Sequence, residues 1–441
     1  MDKQGIKLSR SIGLFALVVY GVGDMVGAGI YGTIGVAAGH MGNAVWLSFL
    51  VSMLAALLTG LTYASLSSRY PYAGGTAYVA QRAFGSPFLS YVVGLAAIAS
   101  GLTSMAAGGR VFAATLGPVL PSITPLVLSG LFLLGLTAIN FRGIKECVWV
   151  NIVCTTIEVG GLLLIIGMSI PYLGSINYLE TPVGSGGITP GLVMTGAVLT
   201  FFAFVGFEDL LNLAEEVKDP ERTMPRGIIL AVLCTTIIYV LVSLAAVSVV
   251  PYARLADPAN GAPMAQIAGK AAAGIPPWVF TGITLFAVAN TALMNFIMGS
   301  RLVYGMSRQQ LLPEWLGVVH HGRKTPHRAI LVLAVIVAAL SLTGGVADLA
   351  SATSLLLLLV FALMNAALLR LKFHHAEPRG RFEVPLLVPV AGFLVCAALI
   401  IARVTSSVGG WKSSFIAAAI LGFICLLFLV GKNSRKPVDA G

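Results

Sequence analysis

Acidic side chains are rare inside the long apolar stretches of this 441-residue chain, and they occur at three places. Asp24 lies within Gly21-Val22-Gly23-Asp24-Met25-Val26-Gly27-Ala28-Gly29-Ile30, and Glu158 within Thr155-Thr156-Ile157-Glu158-Val159-Gly160. Glu208 and Asp209 follow Phe202-Ala203-Phe204-Val205-Gly206-Phe207. A carboxylate in hydrocarbon is costly unless it faces protein or water, so each place is a candidate for proton, cation or ammonium chemistry. The glycines around Asp24 add a second signal. Each costs about 1 kcal/mol relative to alanine in a helix, so their density argues for an interruption there, with backbone N–H and C=O groups left free to bind something. Close helix packing through the Gly23/Gly27 spacing would explain the glycines but not the acid between them.

The elements that must hold these residues follow from composition. Of the chain, 57% is hydrophobic and 10% charged, against about a quarter charged in a soluble domain. Apolar runs recur at Ile12–Val36, Ala44–Leu66, Phe88–Ala114, Pro125–Phe141, Val148–Ile170, Gly191–Leu213, Ile228–Val250, Trp278–Tyr304, Ala329–Leu342, Leu349–Leu371, Leu387–Val404 and Phe415–Val430. Most approach the ~20 residues that cross a bilayer core. The expectation is an all-α integral membrane protein of twelve helices, a single transmembrane domain over residues 1–441. No connection is long enough for an independent core.

The net charge of +10 does not point to nucleic acid, because the basic residues sit between helices. Every second connection is basic: Lys3, Lys7 and Arg10; Arg69 and Arg82; Arg142 and Lys145; Arg222 and Arg226; Arg308 to Arg328; Arg370 to Arg381; Lys432 to Lys436. By the positive-inside rule both termini are expected in the cytoplasm. Trp46, Trp149, Trp278 and Trp411 fall at helix starts, where amphipathic rings suit the interface. The five cysteines have no paired spacing and read as packing residues. HExxH, GxSxG and Cys/His clusters are absent from the sequence, so neither enzyme activity, metal nor cofactor is expected.

The two interruptions fall in the first and sixth runs, five spans apart. Interrupted helices at matching positions of two inverted repeats are a pointer to a carrier's binding site at the bilayer midplane. A channel would more naturally show a repeated pore motif, and a sensor a soluble output domain.

Val26-Gly27-Ala28-Gly29-Ile30-Tyr31, Pro71-Tyr72-Ala73-Gly74-Gly75-Thr76-Ala77-Tyr78, Ala214-Glu215-Glu216-Val217-Lys218-Asp219-Pro220 through Pro225, Ser300-Arg301 through Leu312-Pro313, and Arg379 through Pro385 form an ordered set. It resembles the amino acid, polyamine and organocation transporter superfamily, over nearly the whole chain. The resemblance implies the leucine-transporter-type fold, with inverted repeats at roughly 11–172 and 191–371 and two extra helices at 386–431. It also implies secondary active transport of neutral or cationic amino acids or related amines across a cell membrane by alternating access. Proton coupling is expected ahead of Na⁺ symport or exchange.

The substrate site so implied comprises Asp24, Val26, Gly27, Ala28, Gly29 and Ile30 of the first helix with Phe202, Ala203, Phe204 and Gly206 of the sixth. Amides freed at Gly27-Ala28-Gly29 suit a carboxylate, carbonyls around Phe202 and Phe204 suit an ammonium, and Phe202 is placed as an aromatic lid. Coupling and gating fall to Glu158, Glu208 and Asn290, the last by resemblance to a cation site between helices 1, 5 and 8. Some relatives carry a lysine at the position of Glu158; a carboxylate there can take up a proton or bind Na⁺. Its pairing with Arg110 is the structural alternative, and Asp209 is expected to cap the second half of helix 6. The partners implied are a small amino acid or amine, a coupling cation and the lipid bilayer.

Overall fold

The computed structural model describes residues 10–72, 75–117, 119–257, 263–271, 274–342, 346–374, 377, 379–405 and 410–431. Among them the chain is helical, with one isolated parallel bridge between Ile12 and Val217 and no strand. Among the described residues eight helical spans are long and apolar enough to cross a membrane.

The helices that build the site are α1 (Leu14–Val26), α2 (Ala28–Met41), α3 (Val45–Arg69), α4 (Gly75–Phe84), α5 (Pro87–Leu116), α6 (Pro125–Arg142), α7 (Ile144–Ser169), α8 (Pro190–Phe201) and α9 (Pro220–Val249). Short α10 (Tyr252–Ala256) and α11 (Pro263–Ala271) lead to α12 (Pro277–Arg308), α13 (His327–Ser341), α14 (Val346–Phe373), α15 (Leu387–Thr405) and α16 (Gly410–Gly431). Pro at the first turn of α5, α6, α9 and α12 fits a position whose N–H has no intrahelical partner. Ser86 and Thr124 cap α5 and α6 by accepting from Leu89 N and Val127 N.

Packing is reciprocal. α7 lies on α12 as α14 lies on α5; α1 on α9 as α8 on α3; α6 on α12 as α13 on α5. The outer faces stay apolar, with Leu134, Val335, Leu394 and Phe423 exposed, as hydrocarbon requires of a surface with no water to contact. Polar side chains point inward. Ser48, Ser52, Thr59, Thr62, Asn140 and Asn365 are buried, and Asn365 joins three helices by bonding Thr62 Oγ1 (2.7 Å) and Thr59 Oγ1 (3.3 Å) on α3 while lying against Gly392 of α15.

Both expected interruptions are present. α1 stops at Val26, Gly27 turns the chain (φ −48°, ψ −134°), and α2 begins at Ala28. α8 stops at Phe201 and gives way to a 3₁₀ turn over Phe202–Phe204; Val205 and Gly206 follow, then a 3₁₀ segment over Phe207–Glu216. A ten-residue 3₁₀ run is long for a geometry seldom sustained beyond four residues, and such stretches mark strained or hinge segments.

Candidate functional site

Glycine is required at the breaks for space and for backbone angle. A Cβ on Gly27 would overlap Thr291 Oγ1 of α12, and one on Gly29 would come to 2.7 Å from Ala203 Cα. The two broken helices thus touch backbone to backbone. Gly206 has φ +134°, a conformation L side chains rarely adopt, and it presses within 3.1 Å of Asp24 Cγ at its would-be Cβ.

The carbonyls freed at the end of α1 are taken by side chains from other helices. Asn290 of α12 donates to Gly23 O (3.2 Å), and Tyr239 of α9 lies 2.5 Å from Met25 O. The same Tyr239 hydroxyl is 2.7 Å from Ala203 O in the sixth-helix turn. A buried phenol needs an acceptor; here a single O–H stands between two, each from one broken helix. Phe204 and Phe49 hold the ring, at centroid distances of 5.1 and 5.6 Å.

A polar knot lies on the α7 side of the first break. Asn151 donates to Asn290 Oδ1 (2.9 Å) and Thr155 Oγ1 (3.3 Å), and Asn290 donates to Thr155 Oγ1 (3.1 Å). A Cβ at Gly23 would fall into this knot. Glu158, one turn beyond Thr155 on the same helix face, is fully buried; its polar neighbour is the Asn290 amide, and neither carboxylate oxygen has a closely aligned donor among the described residues. Arg110 does not engage it. Its guanidinium donates to Ser341 O at the end of α13 (3.1 and 2.7 Å).

On the other side of the break a small cavity of about 40 Å³ is lined by Asp24, Met25 and Gly29 of the first helix and by Val205, Gly206, Glu208 and Asp209 of the sixth. Ser100 and Ser104 of α5, Thr291 and Asn295 of α12, and Thr353 and Leu357 of α14 complete the wall. No Lys, Arg or His lines it. Three carboxyl groups therefore face neutral hydroxyl and amide groups across one space. Glu208 accepts from Gly206 N (2.8 Å), so the amide exposed at the second break goes to Glu208 and not to Asp209, the expected cap.

Of the sequence-derived site, Asp24, Gly29, Gly206 and Glu208 meet in this cavity. Val26, Ile30, Ala203 and Phe204 are buried directly around the breaks, and Gly27 forms the first one. Glu158 and Asn290 form a separate group behind it. The side chains of Ala28 and Phe202 lie outside the described residues. Sequence reasoning passed over Tyr239, Asn151, Thr291 and Asn295. Its signal for them was modest: a lone tyrosine in the apolar run Ile228–Val250, and amides and hydroxyls at helical spacing around Glu158 and Asn290.

Residues 12–433 match the family described as amino acid permease. The chain is similar to an uncharacterized transporter of Mycobacterium tuberculosis, 32% identical over 420 residues that cover 94% of this chain and 90% of that protein. It is 31% identical to a methylthioribose transporter of Bacillus subtilis, covering 88% and 87% of the two chains, and 28% identical to a branched-chain amino acid permease of the same organism, covering 97% and 94%. With a helical body of many apolar spans, and with relatives that are transporters and not enzymes, the chain belongs to the amino acid permease family.

Proposed function

We propose that the protein is a secondary active transporter that carries amine-bearing solutes, neutral or cationic amino acids or related amines, across a cell membrane by alternating access. The supporting observation is the cavity bounded by the breaks of helices 1 and 6, which backbone and three carboxyl groups line together with neutral side chains and no basic one. The free amides at the start of α2 suit a carboxylate through the helix dipole, and the acids opposite suit an ammonium. Phe202 is proposed as the lid. Glu158 is proposed as the coupling site, for H⁺ in preference to Na⁺: a buried carboxyl group with only the Asn290 amide beside it can take a proton with no coordination shell, whereas Na⁺ needs several oxygens around it.

The eight long spans and the four shorter apolar helices support twelve crossings, and the reciprocal packing supports two five-helix inverted repeats followed by α15 and α16. On this reading both termini are cytoplasmic. Reporter fusions at Arg222 and Arg323 should then report the cytoplasm, and one at Gly184 the outside.

The direct test is uptake by purified protein in liposomes, with and without imposed pH and Na⁺ gradients. The solutes are leucine, lysine, putrescine and glutamate, with methylthioribose included because a relative carries that name. Uptake of an amine-bearing solute raised by an inward proton gradient supports the proposal. Uptake of methylthioribose alone overturns the amine assignment, and loss of counterflow with passive flux retained indicates a channel.

A further inference from the structure

Asp24 and Asp209 come from different broken helices, and their carboxyl groups are within hydrogen-bonding contact of one another. Both are about 4% exposed, and both line the cavity. Asp24 Oδ2 is buried with no amide, hydroxyl or basic group bonded to it. The neighbouring titratable groups are Glu208 beside them, Tyr20 on α1, Tyr63 on α3 and, further off, Glu158 on α7. None of these is a cation. Glu208 has a backbone N–H to stabilise its charge; Asp24 Oδ2 has no such donor among the described residues.

Two carboxylates in contact, shielded from water and without a cation, cannot both be ionised. Their contact requires a proton between them, as in other carboxyl dyads, and the proton belongs to the pair and not to either residue. An ammonium brought into the cavity offers the same pair three N–H donors and a positive charge. It therefore competes with the proton for one site.

We infer that Asp24 and Asp209 form the subsite for the substrate's positively charged group and hold one shared proton whenever that group is absent. The inference rests on the proposed substrate site and specifies how that site recognises a cation. The exchange balances: the carboxyl O–H bond breaks, the proton leaves to water, and the two carboxylates take the ammonium N–H donors. The pair carries one negative charge with its proton and, counted together with the ammonium, one negative charge after the exchange, so the charge of the subsite is the same in the empty and the loaded carrier. Glu158 does not line the cavity, so its own proton is a separate matter.

The test uses the full-length protein in nanodiscs. Infrared spectra at neutral pH should contain a protonated-carboxyl C=O component that is lost in both Asp24→Asn and Asp209→Asn and kept in Glu314→Gln, a change at an exposed residue outside the cavity. Titration calorimetry with lysine and putrescine, in buffers of different ionisation enthalpy, should show about one proton released per amine bound. Asp209→Asn should bind at least tenfold more weakly and release none, whereas Glu314→Gln should release it as the wild type does. The pair assignment is overturned by a carboxyl band unmoved by both Asn variants, whether or not either amine binds. It is also overturned by wild-type binding heats independent of buffer, or by release that requires Na⁺. Gly27→Leu separates the two levels. If it leaves amine binding intact, the underlying substrate site is wrong; if it abolishes binding while the wild type releases no proton, only the pair is wrong.

Discussion

Tyr239 Oη lies 2.7 Å from Ala203 O, which ties α9 to the 3₁₀ turn that follows α8. Because the same oxygen also reaches Met25 O, the spacing of the two breaks is set by one phenol. Tyr239→Phe keeps the ring contacts with Phe49 and Phe204 and removes only the hydroxyl. The one O–H shared by the two buried carbonyls is then lost, at about 1–3 kcal/mol for a group left unsatisfied. The expected outcome is a folded protein with substrate affinity reduced on the order of tenfold. Tyr239→Phe that matches the wild type in both affinity and thermal stability would show that the two carbonyls find donors elsewhere.

Gly27 is confined by Thr291. Gly27→Ala should cost about 1–3 kcal/mol of stability by overpacking and weaken binding. The double variant Gly27→Ala/Thr291→Ala removes the obstructing hydroxyl and should recover much of the stability. If the double variant is no better than the single one, the conformation of Gly27 matters more than the space beside it. Gly27→Leu, too large for either arrangement, should abolish binding.

Glu158→Gln keeps shape and burial but cannot carry a charge or exchange a proton. Accumulation driven by a gradient should disappear, while exchange between internal and external substrate persists. Asn290→Ala should reduce both, because Asn290 ties Gly23 O to the α7 knot. Retention by Glu158→Gln of the wild-type response to both pH and Na⁺ gradients would falsify the coupling assignment.

Both breaks were legible in the sequence because they carry their own costs: glycines in a helix and acids in hydrocarbon. What satisfies those costs was not legible. Tyr239, Asn151 and Thr291 are far from the breaks in sequence and reach them only through packing, and a tyrosine in an apolar run looks like core until its acceptor is known. The roles within the acidic pair were also hidden. Glu208 and Asp209 are adjacent, and only the turn at Gly206 decides which carboxylate curls back to the free amide and which faces Asp24. Arg110 posed the same difficulty, since its reach to Ser341 O depends on where α13 ends.

The connection between α14 and α15 carries a latch with a defined pH dependence. Arg69 at the end of α3 donates from Nε and Nη2 to the two oxygens of Glu383 (2.7 Å each), joined by Lys372 Nζ (3.2 Å) and Gly380 N (3.0 Å). Partial burial pushes the Glu383 carboxyl upward, but the bonds from Arg69, Gly380 N and Lys372 outweigh it and hold the group below the ordinary glutamate range. A group depressed in the folded state contributes stability above its unfolded value of about 4.3 and loses it as pH falls through the lower folded value. Thermal stability of the wild type in detergent should therefore drop more between pH 5 and pH 3, on the order of these values, than that of Glu383→Gln. Parallel curves for the two proteins would remove this group from the acid response.

Arg301 of α12 offers the sharpest test of the buried electrostatics. It is fully buried, 3.5 Å from Glu216 at the end of the sixth-helix segment, and it donates to Asn140 Oδ1 of α6 at 2.7 Å. The peptide carbonyl of Glu216 also accepts from Ser11 N and Ile12 N ahead of α1, so the Arg301–Glu216 pair joins α12, α6, the sixth helix and the start of the first. Removing one member of a buried ion pair strands the other charge, at about 3–5 kcal/mol. Arg301→Met should lower thermal stability severely and Glu216→Gln comparably. Arg301→Met/Glu216→Met leaves no stranded charge and should be clearly more stable than Arg301→Met alone. A double variant as unstable as the sum of the singles would mean that Asn140 and the backbone contacts, not the ion pair, carry this junction.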